Sequence, residues 1–413
     1  MIRYQYSEIR RQFIENSERV LLYGPPYVGK SYMLRCLTEE ESVKDYILVD
    51  LRIDRDFTEG LKNALAENLS LCDFACEYYS MNYEYVRNTL NLFLDGLEPL
   101  GEYAQDMIRR ALPIHFAATT SRIDAFSNLM LQHDYGMIIR PYRVHSFSFY
   151  EFLDAITEGS EISYTEILKT HFLSDMKIPD VLDDETRELF HDYLMVGGYP
   201  EAIRQYCKNR TDISEIRMLH EKIFAGTVLR YTENVLKGIS TAKIMQLFQY
   251  IGLYAHDNRG AFHPGHFRRG AMVRHYLPEI KYLTENQILL SVYHEESFYR
   301  FEISDCGLLR YLANDYDMFY ITDNRETLPE YFYQNYFYHV LAERNRPIHV
   351  KKSGRSDFSA YTNGINSFRL FGSGRPLYDV LTDDTAFYLT NRKNAQKNLY
   401  HNIQYYFLEQ TQF

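Results

Sequence analysis

The chain has no tryptophan, only five cysteines among 413 residues, and no stretch approaching 18 uninterrupted apolar residues. The last absence argues against a membrane-spanning helix. Cys36, Cys72, Cys76, Cys207 and Cys306 are too few and too scattered for a disulfide framework. Cys72 and Cys76 have helical i,i+4 spacing but no companion ligands, which favours reduced thiols over a metal site. No apolar signal region opens the sequence, so a cytoplasmic protein is expected. Excess positive charge is also missing. With 45 Lys and Arg against 56 Asp and Glu the net charge is -11, which argues against nucleic-acid binding over the whole surface but not against a local basic patch. No internal repeat or low-complexity tract is present.

What remains is ordinary globular composition, 46% hydrophobic and 24% charged, in a chain long enough for several domains. The 38 tyrosines and 26 phenylalanines read first as a compositional bias, since tyrosine covers core edges and interfaces as readily as it stacks bases.

One motif stands out. Gly24-Pro25-Pro26-Tyr27-Val28-Gly29-Lys30-Ser31 matches the phosphate loop G-x-x-x-x-G-K-[ST] in full. In such a loop the glycines let the backbone curl with its N–H groups inward around phosphate oxygens. Lys30 would reach the β and γ phosphates of ATP, and the Ser31 hydroxyl would ligate Mg²⁺. From average residue usage, a chain of this length carries the pattern by accident roughly once in a hundred sequences. The flanks agree with it: Arg19–Tyr23 reads as a strand and Ser31–Leu37 as a helix, which places an anion at the positive end of the helix dipole.

A phosphate-loop ATPase also needs an acid at the end of a neighbouring apolar strand and a second carboxylate to polarise the attacking water. Leu90–Asp95 supplies the first, with Asp95 expected to hold Mg²⁺ through water. The next position, where such ATPases commonly carry Glu, is Gly96. Glu98 lies two residues further on and can substitute only if the backbone bends. Two more strands fit an α/β core: Asp45–Asp50, and Pro113–Ala118 after a helical stretch from about Glu98 to Ala111. The polar residues after the second, Thr119 and Thr120, suit either sensing of the γ-phosphate or simple strand-end capping. Arg122 and Arg140 are candidate phosphate contacts that the sequence leaves unassigned.

Several segments together resemble the bacterial and archaeal AAA-type ATPases whose chains end in a DUF4143 region. The phosphate loop is similar to the family's GPRQVGKT-like form, and Asn91–Glu98 sits where the family has FLDEIQ. His145–Leu153 resembles its PLSFxEFL stretch, and Tyr193-Leu-Met-Val-Gly-Gly-Tyr-Pro-Glu201 its YLxxGGxPE signature. Physically the two glycines and proline make a helix-breaking turn that fixes packing, so Glu201 needs no catalytic role. Gly270–Thr284 reads as a helix, and Gln287–Tyr293 and Phe298–Ile303 as strands; with Asp305-Cys-Gly-Leu-Leu309 they resemble the family's winged-helix portion. The resemblance implies an α/β fold: a P-loop NTPase core of AAA type with a parallel sheet over residues 1–155, and a helical lid over 156–235. A winged-helix-like domain over 236–320 and a C-terminal degenerate restriction-endonuclease-like domain over 321–413 follow.

In that last domain Gly354–Phe358 resembles a GEVDF stretch and keeps Asp357, but Gln334 stands where the family's Glu would fall, and Ser367-Phe-Arg369 where an E-x-K pair is expected. One carboxylate does not hold a metal alone, so nuclease activity is not expected. Before the hairpin the chain is locally basic, with Arg259, Arg268, Arg269 and Arg274, which would face DNA phosphates if the preceding helices form a helix-turn-helix; a solvated loop is the plainer account. The expected function is thus an ATP-binding protein, a slow Mg²⁺-dependent ATPase whose nucleotide state repositions the lid and C-terminal domains. The alternatives are a nucleotide-binding module without turnover and a DNA-binding protein. A protein partner and an oligomer fit this class, whereas a membrane does not.

Overall fold

A parallel sheet buried on both faces demands short, continuously apolar strands joined by crossover helices, and the amino-terminal third of the chain follows that rule. In a computed structural model, the described residues are 4–111, 113–123, 139–158, 163–173, 179–210, 212–232, 238–254, 262–294, 299–314, 329–343, 349–352, 358–362, 366–370, 386–390 and 402–404. The chain divides into two units. One comprises residues 2–145 with 229–234, the other residues 146–228 and 235–413.

In the first unit, β1 (Val20–Tyr23), β2 (Tyr46–Asp50), β3 (Asn91–Asp95), β4 (His115–Thr120) and β5 (Arg140–Arg143) form one sheet in the order β2-β3-β4-β1-β5, every pair parallel. The central strands are fully apolar inside: Leu92, Phe93 and Leu94 of β3, and Phe116, Ala117 and Ala118 of β4, are all inaccessible to solvent. Edge strand β2 instead alternates, with Tyr46 and Leu48 outward and Val49 inward. The crossover helices, among them Lys30–Thr38, Arg55–Ala66 and Leu71–Tyr79, cover the sheet, and Phe57, Leu61, Leu65, Leu71 and Phe74 join the strands in one core.

Beyond shifts of a residue at strand starts, the structure of this unit departs from the sequence reading in three places. Strand β4 runs two residues past Ala118, so Thr119 and Thr120 belong to the strand. The helix expected from Glu98 to Ala111 is interrupted. A 3-10 turn, Glu98–Leu100, ends at Gly101 with φ +57°, and the helix proper spans Tyr103–Arg109. Pro99 fits the first turn of a helix but not its interior, and Gly101 takes a left-handed conformation most residues avoid. Strand β5, with Pro141 inside it, carries no strand signal, and as an edge strand it tolerates the missing donor.

The second unit contains the helices Phe149–Ile156, Tyr164–Leu173, Asp180–Val196, Pro200–Lys208, Thr241–Tyr254, Leu277–Glu285, Cys306–Ala313 and Glu330–Glu343, and most of Ile213–Thr232. The helix expected over Gly270–Thr284 begins only at Leu277, after a 3-10 turn at Val273–His275, because Pro278 is accommodated in a first turn and not within a helix. Strands β6 (Leu289–His294) and β7 (Tyr299–Ile303) form the anticipated antiparallel hairpin. Its strand β6 also pairs in parallel with β8 (His349–Lys352). With β9 (Phe358–Thr362), β10 (Asn366–Leu370), β11 (Ala386–Thr390) and β12 (Asn402–Gln404) it makes a seven-stranded sheet, ordered β12-β11-β10-β9-β8-β6-β7.

Candidate functional site

The loop after β1 lies at the carboxyl end of a parallel sheet, where open α/β folds bind ligands. Its glycines have separate tasks. Gly24 has φ +149°, and a Cβ there would lie 2.1 Å from the Val144 carbonyl oxygen, so the chain leaving β5 crosses it too closely for any side chain. Gly29 adopts φ +98° and caps the helix Lys30–Thr38 without a side-chain hydrogen bond, leaving the first N–H groups of that helix for an acceptor from outside. Between them Pro25, Pro26 and Val28 are buried, while Tyr27, at φ +65°, is 45% exposed.

Lys30 is buried, and its ammonium donates to the carbonyls of Gly24 (2.9 Å) and Pro25 (2.6 Å). Burial pushes its pKa down to about 7, while the nearby Glu98 and Asp95 charges pull the other way. The Ser31 hydroxyl donates to Asp95 Oδ1 at 2.8 Å, so the loop and the end of β3 meet directly.

Asp95, itself 3% exposed, gathers three donors. Thr119 Oγ1 donates to Oδ1 at 2.6 Å and accepts from the Gly96 amide at 2.8 Å, bracing the acid from the adjacent strand. Thr120, on the opposite side of the pleat, exchanges hydrogen bonds with the backbone of Arg122 and does not meet the acid. Arg52 Nη2 donates to Asp95 Oδ2 at 2.6 Å. The same guanidinium forks onto Asp50, with Nε to Oδ1 and Nη2 to Oδ2, both 2.7 Å. Burial opposes the charge on both groups. Even so, Arg52 keeps Asp50 below the ordinary carboxylate range, and the two acids raise the pKa of Arg52.

Glu98, displaced from the usual position, enters the site through the turn that Pro99 and Gly101 create. One carboxylate oxygen accepts the Ser121 amide, at the exit of β4. The other, Oε2, is buried and has no hydrogen-bond partner among the described residues. Its charge acts on both Lys30 and Arg52. An orphaned buried carboxylate oxygen beside a lysine is an acceptor awaiting a donor.

Arg122 is buried next to this turn. Arg140 is paired by register with Val20 at the amino end of β1 and forms an ion pair with Glu18 at 2.5 Å, so it stands at the end of the sheet away from the loop. Sequence reasoning missed Arg52, Asp50 and Arg230. Arg230 lies in the final turn of Ile213–Thr232, in the stretch belonging to this unit, and its charge reaches Lys30 and Asp50. Asp50 ends a strand the sequence revealed, so it carried a signal. Arg230 carried none, being some 200 residues from the loop.

In the second unit the remaining motifs converge on one buried junction. Gly197 has φ +77°, and a Cβ there would lie 2.5 Å from Asp305 Oδ1; one on Gly198 would lie 2.3 Å from the Phe147 carbonyl, and one on Gly307 2.6 Å from that of Val196. The Gly198 amide donates to Asp305 Oδ2 at 2.8 Å, the Phe147 amide to Gly198 O at 2.6 Å, and the Tyr193 hydroxyl to Phe147 O at 2.8 Å. His220 and Arg310 bind the carbonyls of Val196 and Met195 that end the helix Asp180–Val196. Glu201 is exposed and pairs with Arg204. The motif residues are thus used in packing.

Arg268, Arg269 and Arg274 are exposed, on the turns before Leu277–Glu285, while Arg259 lies outside the described residues, as does Asp357. Gln334 is buried within the helix Glu330–Glu343, and Ser367 and Arg369 lie on β10.

No protein-family model matches the chain, and no curated protein matches it. No helix among the described residues is long and apolar enough to cross a membrane. Among solved structures, the chain is similar to the Walker-type ATPase PABY2304 of Pyrococcus abyssi, at 14% identity over 75% of this chain and 95% of that one, with a TM-score of 0.45. It is also similar to the RuvB Holliday junction branch migration motor of Thermotoga maritima, at 13% identity over 70% and 89% of the two chains, TM-score 0.33. The replication initiator DnaA bound to AMPPCP and single-stranded DNA aligns at 14% identity over 61% and 70%, TM-score 0.28. Likeness this slight leaves the functional assignment to the chain's own residues.

Proposed function

We propose that the chain binds ATP with Mg²⁺ in the loop Gly24–Ser31 and hydrolyses it slowly, with Glu98 in place of the carboxylate missing at Gly96. The observation that carries this reading is the meeting of Ser31 and Asp95 at 2.8 Å beside the buried ammonium of Lys30. A phosphate displaces the loop carbonyls from Lys30 and meets the backbone amides at the start of Lys30–Thr38. A hydroxyl and a carboxylate in contact are the hard oxygen donors that Mg²⁺ takes, so Ser31 would hold the ion directly and Asp95 through water. When bound, the metal neutralises charge developing on the phosphates. Glu98 Oε2, buried and without a partner, accepts a proton from the attacking water, and Thr119 holds Asp95 in register.

The test is phosphate release with wild type, Asp95→Asn and Glu98→Gln. Loss of Glu98 is expected to lower turnover by about 10²- to 10⁴-fold while ATP still binds. Binding with no turnover in wild type would leave the binding-only module.

The AAA-type assignment with a DUF4143 region, the lid over 156–235, the winged-helix-like 236–320 and an inactive nuclease-like 321–413 belong to the same proposal, supported by the motif order and the hairpin β6–β7. A cytoplasmic setting agrees with five cysteines that are all free. DNA binding is a second reading, favoured by Arg268, Arg269 and Arg274, all exposed on adjoining turns. Duplex affinity that falls steeply with salt and weakens on charge reversal of Arg268 and Arg269 is its expected result; no binding at low salt removes it.

A further inference from the structure

We propose that Arg52 is a resident counter-cation that competes with the divalent metal for Asp95, and that Gly96 is the residue that makes room for it. The proposal rests on the nucleotide-binding reading of the site and adds a residue to it.

It begins with strand register. Asp50 and Asp95 end neighbouring parallel strands and are paired across β2 and β3, so two carboxylates stand side by side at the carboxyl end of the sheet. Like charges at that spacing repel unless a cation lies between them. The Arg52 guanidinium is that cation, donating to Asp50 at 2.7 Å and to Asp95 at 2.6 Å. It takes Asp95 Oδ2, whereas the neutral hydroxyls of Ser31 and Thr119 share Oδ1.

Gly96 gives independent support. A Cβ at position 96 would lie 2.7 Å from Arg52 Nε, 2.8 Å from Cδ and 3.1 Å from Cγ, and the backbone there has φ +77°. The arginine side chain therefore occupies the space any other residue would need for its own. A carboxylate side chain at 96 and Arg52 in this pose exclude each other.

A divalent ion at Asp95 and a guanidinium on the same carboxylate repel strongly in a partly dry site. Binding metal requires Arg52 to release Asp95. It is free to do so: Arg52 sits in the solvent-facing turn between β2 and Arg55–Ala66, is 24% exposed, and keeps its Asp50 partner when it swings away. Asp50 thus anchors the arginine in both states. The gain in nucleotide affinity from Mg²⁺ is then smaller than the loop and acid would otherwise provide.

The experiment is calorimetric titration of ATP in EDTA and in Mg²⁺, for wild type, Arg52→Ala and Arg52→Gln, with folding checked by circular dichroism. The quantity read is the ratio of the two affinities. We expect that ratio to rise at least about tenfold in both variants, and Mn²⁺, followed by electron paramagnetic resonance, to bind the ADP complexes of the variants more tightly than that of wild type. Arg52→Gln removes the charge but keeps an amide donor about where Arg52 Nε meets Asp50, which covers the case in which Arg52→Ala fails to fold. Gly96→Ala, which pushes the arginine aside without removing it, is expected to move the ratio in the same direction. An unchanged or smaller ratio in folded variants overturns the role of Arg52 and leaves nucleotide binding intact. Absence of ATP binding by wild type in both buffers overturns the site reading, and Arg52 with it.

Discussion

At the scale of single residues, Lys30 decides how the site behaves with pH. Burial lowers its pKa to about 7, yet phosphate binding favours the charged ammonium, so binding takes up a proton wherever the free lysine is neutral. Between pH 7.5 and 8.5, where ATP itself no longer titrates, affinity is expected to fall by up to about tenfold per pH unit. Lys30→Arg, which stays charged, should flatten that slope. For folding the sign is the reverse of a gained partner: with the pKa depressed, the contribution is present above the unfolded value near 10.5 and is lost as pH falls through about 7. Calorimetry in buffers of different ionisation enthalpy measures the proton directly. A pH-independent affinity over this range would show that Lys30 is charged before ATP arrives.

At the scale of elements, the glycines of the second unit are packing devices. Gly198 has the Phe147 carbonyl 2.3 Å from where a Cβ would be, and backbone does not give way as a side chain does. Gly198→Ala is expected to destabilise this unit by roughly 2–4 kcal/mol, in the range of severe overpacking, read as a lowered Tm; an alanine tolerated without loss would mean that the chain segments separate easily. Asp305 in the same junction has its pKa raised to about 6 by burial, against the hydrogen bonds from Gly198 and Leu308. A raised pKa means the contribution is full below the unfolded value of 3.8 and is lost as pH rises through about 6. Wild type should therefore lose stability relative to Asp305→Asn between pH 4 and 7, by on the order of 3 kcal/mol. Parallel melting curves would rule this out.

The elements also mark how far the sequence was legible. Strands β1 to β4 are continuous apolar runs bounded by turn residues, so their place and their order relative to Lys30 and Asp95 were readable. The bend that brings in Glu98 was not, because it depends on Pro99 and Gly101 acting together inside a stretch of helical periodicity. Arg52 was invisible for a different reason. Its partner Asp95 lies 43 positions away, and only the register of β2 on β3 joins them.

At the scale of the whole molecule, the two units divide the motifs between them. The phosphate loop, the acid strand and Glu98 belong to one, and the glycine and Asp305 junction to the other. Charge is concentrated in the first, where the buried Lys30 and Asp95 and the half-buried Arg52, Asp50 and Glu98 lie within reach of one loop. A helix that begins in the second unit ends in the first and carries Arg230, whose charge acts on Lys30.

Whether this loop binds ATP is decided by calorimetric titration of Mg²⁺-ATP into wild type and Lys30→Ala. Wild type is expected to show saturable one-site binding, weakened at least about tenfold in the variant, equivalent to about 1.4 kcal/mol or more. No heat of binding in wild type, or equal affinity in a folded Lys30→Ala, would contradict it.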